Sequence, residues 1–522
     1  KAVPLASAPM SALAAQRGLV TTETFVDSDA VMADLARLDQ LLAASHVENR
    51  VAAAIRLVQG RALLNRGDYR GARDKAHEAV KLLGGLTEST DLDDVAARSD
   101  YSIAALLLGD KDGARQYMAM TGAGRLPKGD FNPGVQMVPP PCGDEMKPED
   151  AAVVQFSISD DGAVFGVAPI YAAGGGGAAL DFSRAVADWS WTPEQAKKLP
   201  PFFRNRVRVE LRCSTAFNAP SVSRHLAGRL NAWLDEKNVE RPAIAESDAV
   251  ALPHLRTLLA AADSTKGASS LALVPILYSL AVNRVASDEE STVAARRALG
   301  ILDAAGAPPL IRLTFAEMLW RSGIDRRAAA HQYRDRAEAA LVDPGFSGDA
   351  EARTAIRMLI AGAAGRSDRD AARGALQAIA DDHALDHSSP LRAAALIRLA
   401  SLEARAGDVV AARATFDASG LDGKQCSLID SPPHMLSSGA NASSFPLEAA
   451  RWGFEGWTEV QFDIAANGKV VAPRAVVSYP PFVFSKAGTN MFGAARYEAT
   501  FRPNGELACG GSSNRVRFIM PQ

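Results

Sequence analysis

Two stretches of the chain, VQFSISDDGAV (154–164) and VQFDIAANGKV (460–470), have similar sequences and are the strongest indication of the fold. In each stretch β-branched or aromatic residues alternate with polar ones, which is the period of a strand with one buried face. The turn that follows ends in Gly162 or Gly468, preceded by Asp or Asn, and a second alternating segment begins after it. Asp-Gly and Asn-Gly are typical of tight hairpin turns. Each stretch therefore predicts a β-hairpin.

The similarity continues in the same order beyond the hairpins, which indicates an internal duplication. A block that predicts a short helix comes next, then an aromatic residue two positions before proline, and then an alternating final strand. The matching blocks are FSRA (182–185) and FSKA (484–487), WTP (191–193) and FRP (501–503), and NRVRV (205–209) and NRVRF (514–518). Each copy thus has the order strand, strand, helix, strand.

This order, with its aromatic-x-Pro block before the last strand, resembles the C-terminal domain of TonB-family proteins. The second copy carries more of the family pattern, because Phe445 and Pro446 lead into a short helix and Gly456 starts the first strand. The resemblance covers residues 130–214, as a degenerate copy, and residues 424–522. It implies two small β-β-α-β domains.

The resemblance also implies how such a domain acts. TonB-family proteins use the exposed edge of the small sheet to capture an extended segment of an outer-membrane transporter, because backbone N–H and C=O groups on an edge can pair with an incoming strand. The edge implied in the second copy is Asn514, Arg515, Val516, Arg517, Phe518 and Ile519, and its counterpart in the first copy is Arg206, Val207, Arg208 and Val209. Strand alternation places Arg515 and Arg517 on one face and directs Val516 and Phe518 into the core. The alternative is that these arginines are only the solvated face of a strand.

Residues 1–125 and 221–420 have the three- and four-residue apolar spacing of helices. A short element recurs in them, with neighbouring copies about 40 residues apart, the length of one helical hairpin in a solenoid. Its copies are GDYRGAR (67–73), GDKDGAR (109–115), SDRDAAR (367–373) and GDVVAAR (407–413), with a looser one from Gly323. Gly ends one helix in a left-handed conformation and Asp caps the next. The element resembles the turn of a tetratricopeptide (TPR) repeat, so we expect TPR-like solenoid segments, which bind peptides or only hold other domains in place.

The predicted fold class is therefore α+β and multidomain, with α-helical TPR-like segments alternating with the two TonB-like domains. The chain carries 57 Lys and Arg against 60 Asp and Glu, a formal charge of −3, which argues against a nucleic-acid partner. The sequence contains no uncharged apolar stretch of about 18 residues, so we expect no transmembrane segment. The first residue is Lys1, and we interpret it as a mature end from which a signal peptide has been removed.

The four cysteines are distributed as one pair per copy. Cys142 and Cys213 bracket the first β-domain, and Cys426 and Cys509 fall within the second segment. This distribution predicts two intradomain disulfides, and the alternative is four buried free thiols. Disulfides persist in the periplasm and not in the cytosol, so the pairing and the TonB resemblance indicate the same compartment.

The sequence offers few candidates for catalysis. His383 and His387 are four residues apart and would share a helix face, as metal ligands do, but Ala384 stands where a metalloprotease needs Glu. The segment also precedes Ser-Ser-Pro, so we expect a helix end there. The run Gly174–Gly177 lacks the Lys-Ser/Thr of a phosphate-binding loop and is interpreted as a flexible connection. We expect no catalytic residue, no metal site and no cofactor.

Together these features predict a non-enzymatic periplasmic adaptor that docks a protein partner by edge-strand pairing. The expected partner is a TonB-dependent outer-membrane transporter or another periplasmic protein. Three alternatives stay open: an energy transducer whose membrane anchor preceded Lys1, a metal-dependent hydrolase in the helical groove around His383 and His387, or β-domains that pack only against the solenoid or another copy of the chain.

Overall fold

The chain is a mixed α and β protein in which two runs of helices alternate with two groups of strands. The computed structural model describes residues 9–26, 28–125, 131–144, 146–215, 220–324, 329–365, 368–429, 433–503 and 511–520. Within these ranges no helix has both the length and the apolar character needed to cross a membrane.

The first run of helices precedes the first group of strands, and each helix packs on the next one along the chain. Apolar residues at helical spacing, such as Leu38 and Ile55, form its core. The helices are α1 (Pro9–Glu23), α2 (Ala30–Ala44), α3 (Asn49–Asn65), α4 (Tyr69–Leu82), α5 (Leu92–Leu108) and α6 (Lys111–Ala119). This run covers one face of the strands that follow, since Val153, Ile170 and Tyr171 belong to the same core.

The first group of strands contains the first copy of the duplicated block. Its elements are β1 (Ala152–Ile158), β2 (Val164–Ala172), α7 (Gly175–Ala187), α8 (Pro193–Lys198) and β3 (Val207–Leu211). β1 lies between β2 and β3 and pairs antiparallel with both. Helix α7 packs on β2 and β1, where Phe182 and Val186 are fully buried. The Gly-rich run is thus the start of α7 and not the flexible connection that the sequence indicated.

The second run of helices joins the two groups of strands. Its elements are α9 (Val222–Glu236), α10 (Asp248–Lys266), α11 (Val274–Val282), α12 (Asp288–Ala304), α13 (Pro309–Arg321), α14 (Ala329–Val342), α15 (Pro344–Ser347), α16 (Ala350–Ala364), α17 (Arg369–Ala380), α18 (Pro390–Arg405) and α19 (Val409–Asp417). From α11 onward, helices that are neighbours in sequence or one element apart pack on each other.

The recurring Gly-Asp element closes the turns between paired helices as predicted. Gly67, Gly109 and Gly407 have φ angles of 80°, 89° and 91°, a conformation that favours glycine. The next residue is the N-cap aspartate of the following helix, and its carboxylate accepts a hydrogen bond from the backbone N–H three residues later. The donor–acceptor distances at Asp68, Asp110, Asp368 and Asp408 are 2.8, 3.1, 3.0 and 2.9 Å. Each such cap stabilises its helix by about 1 kcal/mol.

The second copy of the duplicated block closes the chain. Its elements are β4 (Met435–Ser437), α20 (Leu447–Trp452), β5 (Gly456–Ile464), β6 (Val470–Tyr479), α21 (Ser485–Gly493), β7 (Arg496–Tyr497) and β8 (Gly511–Phe518). The predicted short helix after Pro446 is α20, and the predicted first strand begins at Gly456. A Cβ atom on Gly456 would lie 2.1 Å from the carbonyl oxygen of Tyr479, so only glycine fits there.

The two copies do not form separate sheets. They join in one six-stranded antiparallel sheet with the order β2-β1-β3-β6-β5-β8, while β4 and β7 form a small two-stranded sheet. The junction is short: Glu210 pairs with Ser478, Leu211 pairs with Val477, and the N–H of Arg212 donates to the carbonyl oxygen of Val476 at 2.8 Å. The last strand of the first copy, β3, therefore pairs with the second strand of the hairpin in the second copy, β6.

The register of the two hairpins supports the duplication. Val154 pairs with Pro169, and its counterpart Val460 pairs with Ala475, the same spacing in both copies. Each hairpin also has two irregularities in its register, and they occur at corresponding places. Both turns contain a glycine with positive φ, as the sequence predicts.

The final strands match less closely than their sequences indicate. Gln155 of β1 pairs with Arg208, but its counterpart Gln461 of β5 pairs with Ser513. The alignment of NRVRV with NRVRF assigned Arg517 to that place, so the alignment is wrong by four residues. Because four is an even number, the side chains keep their faces despite the shift.

Candidate functional site

The candidate site is the outer edge of β8, the last strand of the six-stranded sheet. β8 pairs with β5 along its whole length, from Asp463 opposite Gly511 to Gly456 opposite Phe518. In the part of the chain that the structure describes, β5 is the only strand that pairs with β8. A strand at the end of a sheet presents unpaired N–H and C=O groups on its outer side. The residues Asn514 to Phe518 thus lie on a sheet edge, as predicted, and Ile519 follows directly after the strand.

The side chains of β8 alternate between solvent and core in the predicted way. Arg515 and Arg517 are exposed, whereas Phe518 is 4% exposed and Val516 is partly buried. Phe518 stacks on Phe484 with ring centroids 4.7 Å apart. This packing fixes the strand in place, so its outer edge is held in an extended conformation.

The exposed face of β8 carries an anchored cation. The Arg515 guanidinium donates to the Glu459 carboxylate at 2.6 Å and lies 5.6 Å from the centre of the Trp457 ring. Ser513 Oγ donates to the same carboxylate at 3.1 Å. Glu459 therefore orders this face of the edge, a role that the sequence analysis did not identify.

The other face of β8 is held by a buried tyrosine. Asn514 Nδ2 donates to the hydroxyl of Tyr497 at 2.8 Å. Burial raises the pKa of the Tyr497 hydroxyl, so this group stays protonated at neutral pH.

The structure corrects the prediction for the first copy. Arg206, Val207, Arg208 and Val209 do not form an exposed edge, because β3 lies in the interior of the sheet between β1 and β6. All residues of β3 are buried. Arg206 precedes the strand and donates to the carbonyl oxygen of Leu92 at 2.6 Å. The prediction is wrong because the second copy covers the margin of the first.

Arg208 illustrates how completely this margin is enclosed. Its guanidinium lies 2.5 Å from the Asp100 carboxylate of α5, with both side chains less than 7% exposed. Burial lowers the pKa of Arg208 to about 10. The arginine therefore links the sheet to the first helical run and is not available to a partner.

The opposite end of the sheet is covered by one side chain. Asn65, the last residue of α3, donates from Nδ2 to the carbonyl oxygen of Ile170 at 3.0 Å and accepts from the N–H of Ala172 at 2.9 Å. These two bonds have the pattern that a neighbouring strand would make with β2. Pro169 also lies in β2 and has no N–H to offer. The part of this edge formed by residues 169–172 is therefore not available to a further strand.

A cavity of about 540 Å³ lies beside the core of the second copy, between α6, α20 and α21. Met118, Phe454 and Val483 form its apolar wall, and they pack in the same cluster as Phe518. Lys111 lies at its rim. The sequence did not predict this cavity, because its walls come from distant segments of the chain.

The disulfide prediction is confirmed for the first copy. Cys142 and Cys213 are bonded, with Cα atoms 4.8 Å apart. Cys426 is also disulfide-bonded, and Cys509, its predicted partner, lies outside the described residues. The alternative of four free thiols is wrong.

The histidine pair does not form a metal site in the described structure. Helix α17 ends at Ala380, so His383 and His387 lie in exposed turns and share no helix face. The neighbouring Asp382 carboxylate is bound by Arg353 and Arg357 at 2.9 and 3.1 Å. Among the described residues no group of three or more His, Cys, Asp or Glu could hold a metal ion.

Comparisons with known proteins add no family. A scan against models of protein families and a search of curated proteins both found nothing that matches this chain.

Proposed function

We propose that this protein is a non-enzymatic adaptor of the bacterial periplasm that binds an extended segment of a partner protein as an added strand on β8. The partner is an outer-membrane transporter or another periplasmic protein. The observation that carries the proposal is the position of β8 at an end of the sheet that no other described strand occupies.

The first copy supplies an internal precedent for this binding. Its last strand, β3, has the same place in its copy as β8 has in the second, and β6 pairs antiparallel with its outer side. The same type of edge thus already holds a strand within this chain. Strand addition to β8 would extend the sheet in the same direction, with main-chain hydrogen bonds providing affinity.

The chemistry of the edge indicates the segment that it would hold. Arg515 and Arg517 project from the exposed face of β8, so acidic residues at alternate positions of the partner would face them across the strands. Cross-strand pairs of opposite charge stabilise a sheet by about 0.2–1 kcal/mol each. Ile519 is 49% exposed and offers an apolar contact at the end of the strand.

The compartment follows from the cysteines together with the TonB resemblance. The Cys142–Cys213 disulfide fits an oxidising compartment outside the cytoplasm. In the chain-entropy model, closing a loop of this size stabilises the domain by about 4 kcal/mol.

Two single proline substitutions in β8 test whether its outer edge binds the partner. The N–H groups of an antiparallel strand point alternately to its two neighbours, so one of Asn514→Pro and Arg515→Pro removes a donor on the outer side and the other removes a donor to β5. Each proline variant is compared with the alanine variant at the same position, which also lacks the side-chain contact; the proline that lowers the melting temperature no further than alanine does is the outer one. We expect this variant to lose at least tenfold in partner binding, measured by capture from periplasmic extract.

Photocrosslinkers give the matching positive result. Placed at Ser513, Arg515 and Arg517, they should label one contiguous segment of a single partner, and a probe at the exposed Phe165 of β2 is the control. Full partner recovery by the stable proline variant, or equal labelling from Phe165, would contradict edge docking.

A further inference from the structure

A second cavity lies where the last helices meet the approach to β8. It has a volume of about 90 Å³ and lies between α16, α17 and α18 on one side and residues 433–434 and 498–500 on the other. This is room for several water molecules or one small oxyanion. The polar side chains that line it are Arg369, Arg398, Ser401, Arg405, His434, Glu498 and Thr500.

The lining has an excess of positive charge. Three arginines surround the cavity and Glu498 is the only carboxylate among its described lining residues. The Glu498 side chain is 7% exposed and is already bound by Arg405 and, at 3.4 Å, by Arg369. The third arginine, Arg398, therefore has no carboxylate partner among the residues that the structure describes.

Arg398 is partly buried and lies two turns before Arg405 on the same face of α18. Within the described residues it makes no hydrogen bond and no ion pair, in contrast to Arg353, Arg357 and Arg405 in the same helical run. Burial and the neighbouring Arg405 lower the pKa of Arg398 to about 10, so its guanidinium still carries a charge at neutral pH. An enclosed charge without a partner is costly for the folded state.

We propose that this cavity is a binding site for a small oxyanion, which Arg398 holds through its planar guanidinium. Arginine presents paired N–H donors that match the oxygens of a phosphate, a sulfate or a carboxylate. Arg369, Arg405 and Ser401 border the same space. A bound anion would supply the charge that Arg398 lacks.

None of the residues that line this cavity belongs to β8. Ser401 Oγ accepts from the N–H of Phe501 at 2.9 Å, and the Phe501 ring packs against Phe416 of α19. The site therefore joins the second run of helices to the segment that leads towards β8. Its occupancy does not depend on the proposed function of the edge.

Equilibrium dialysis of the full chain with radiolabelled inorganic phosphate tests the proposal. We expect saturable binding of one phosphate per chain that depends on Arg398. Arg398→Met should weaken it at least tenfold, because the substitution removes the guanidinium and keeps much of the side-chain volume. Arg413→Met is the matched control, since Arg413 on the next helix is half exposed and is paired with Asp417, and it should bind as the wild type does.

Competition distinguishes the sources of the anion. Displacement by sulfate at constant ionic strength assigns the site to free inorganic oxyanions, and displacement by acetate or succinate assigns it to a carboxylate. Arg398→Lys keeps the charge without the paired donors and should also bind at least tenfold more weakly, which gives a second measurement if Arg398→Met fails to fold. No saturable phosphate binding by the wild type, or equal binding by Arg398→Met and Arg413→Met, would overturn the proposal.

Discussion

The two edge strands of the six-stranded sheet, β2 and β8, differ in what contacts their outer side. At β2, the Asn65 amide donates to one backbone group and accepts from another, as a neighbouring strand would. At β8, no other described strand occupies the outer side, and arginines project from the exposed face. Natural sheets usually protect their edges against other strands. Asn65 occupies part of the β2 edge, and no further described strand pairs with β8, so the comparison favours β8 as the binding edge of the proposed function.

The two copies also differ in how their final strands, β3 and β8, are covered. The first copy is enclosed by helices on one face and by the second copy at its margin, and its arginine Arg208 is buried against Asp100. In the second copy no further described strand covers the outer side of β8, and Arg515 and Arg517 are exposed. The pairing of β3 with β6 thus covers the edge of the first copy, whereas β8 pairs with β5 alone among the described strands.

The largest expected effect is a difference in the free energy of unfolding between replacing a buried arginine and replacing an exposed one. Arg208→Ala should reduce the free energy of unfolding by about 3–5 kcal/mol, because it removes one of the two described cationic partners of the buried Asp100 and leaves Arg61. Arg515→Ala should cost less than about 1 kcal/mol, because its ion pair with Glu459 is partly exposed to solvent. Urea denaturation followed by circular dichroism measures both. Equal losses for the two variants would mean that the two margins are not differently enclosed.

A smaller loss of stability is expected when the side chain of Asn65, which contacts the edge of β2, is removed. Asn65→Ala should cost about 1–3 kcal/mol, because backbone groups of the buried residues Ile170 and Ala172 lose their partners. It should also cause self-association that increases with concentration, as the opened β2 of one molecule pairs with β8 of another. Sedimentation velocity measures this association. Adding Arg515→Pro or Asn514→Pro, whichever blocks the outer side, should abolish it, and a monomeric Asn65→Ala would contradict the comparison.

The smallest expected effect is a pH dependence in the helices that enclose the first copy. His77 Nδ1 lies 2.7 Å from the hydroxyl of Tyr117, and burial, followed by the charge of Lys81, lowers the pKa of His77 below its usual value near 6.5. The unfolded chain therefore binds this proton at a higher pH than the folded chain does. Stability should fall as the pH decreases below about 6.5.

The matched variant isolates that contribution. His77→Gln should make the melting temperature less dependent on pH between about 6.5 and 5, and His254→Gln, at an exposed position, is the control. An unchanged dependence in His77→Gln would show that this histidine does not contribute to the acid sensitivity.

Local features of the fold were predictable from the sequence because they depend on nearby residues. The hairpin turns at Gly162 and Gly468 and the aspartate caps are formed within a few residues, and the structure has them as expected. The same holds for the alternation of Arg515 and Phe518 along β8. Cys142 and Cys213 were paired correctly because each copy contained two cysteines.

Similar blocks of sequence did not always have the same structural role. Trp191 is fully buried in the core of the first copy, whereas its counterpart Phe501 packs against Phe416 of the second helical run. The final strands are offset by four residues although their sequences align. A short block of sequence determines local conformation, but the residues that pack against it depend on the tertiary structure.

The amino-acid order alone determined the strands, the capped helix turns and the alternation of faces, since backbone preference and hydrophobic period act over a few residues. The pairing of β3 with β6, the contact of Asn65 with β2 and the place of Arg398 in the lining of a cavity became visible only in the tertiary structure. Those outcomes depend on contacts between segments far apart in the chain. Which edge of a duplicated sheet is open is therefore a property of the assembled molecule.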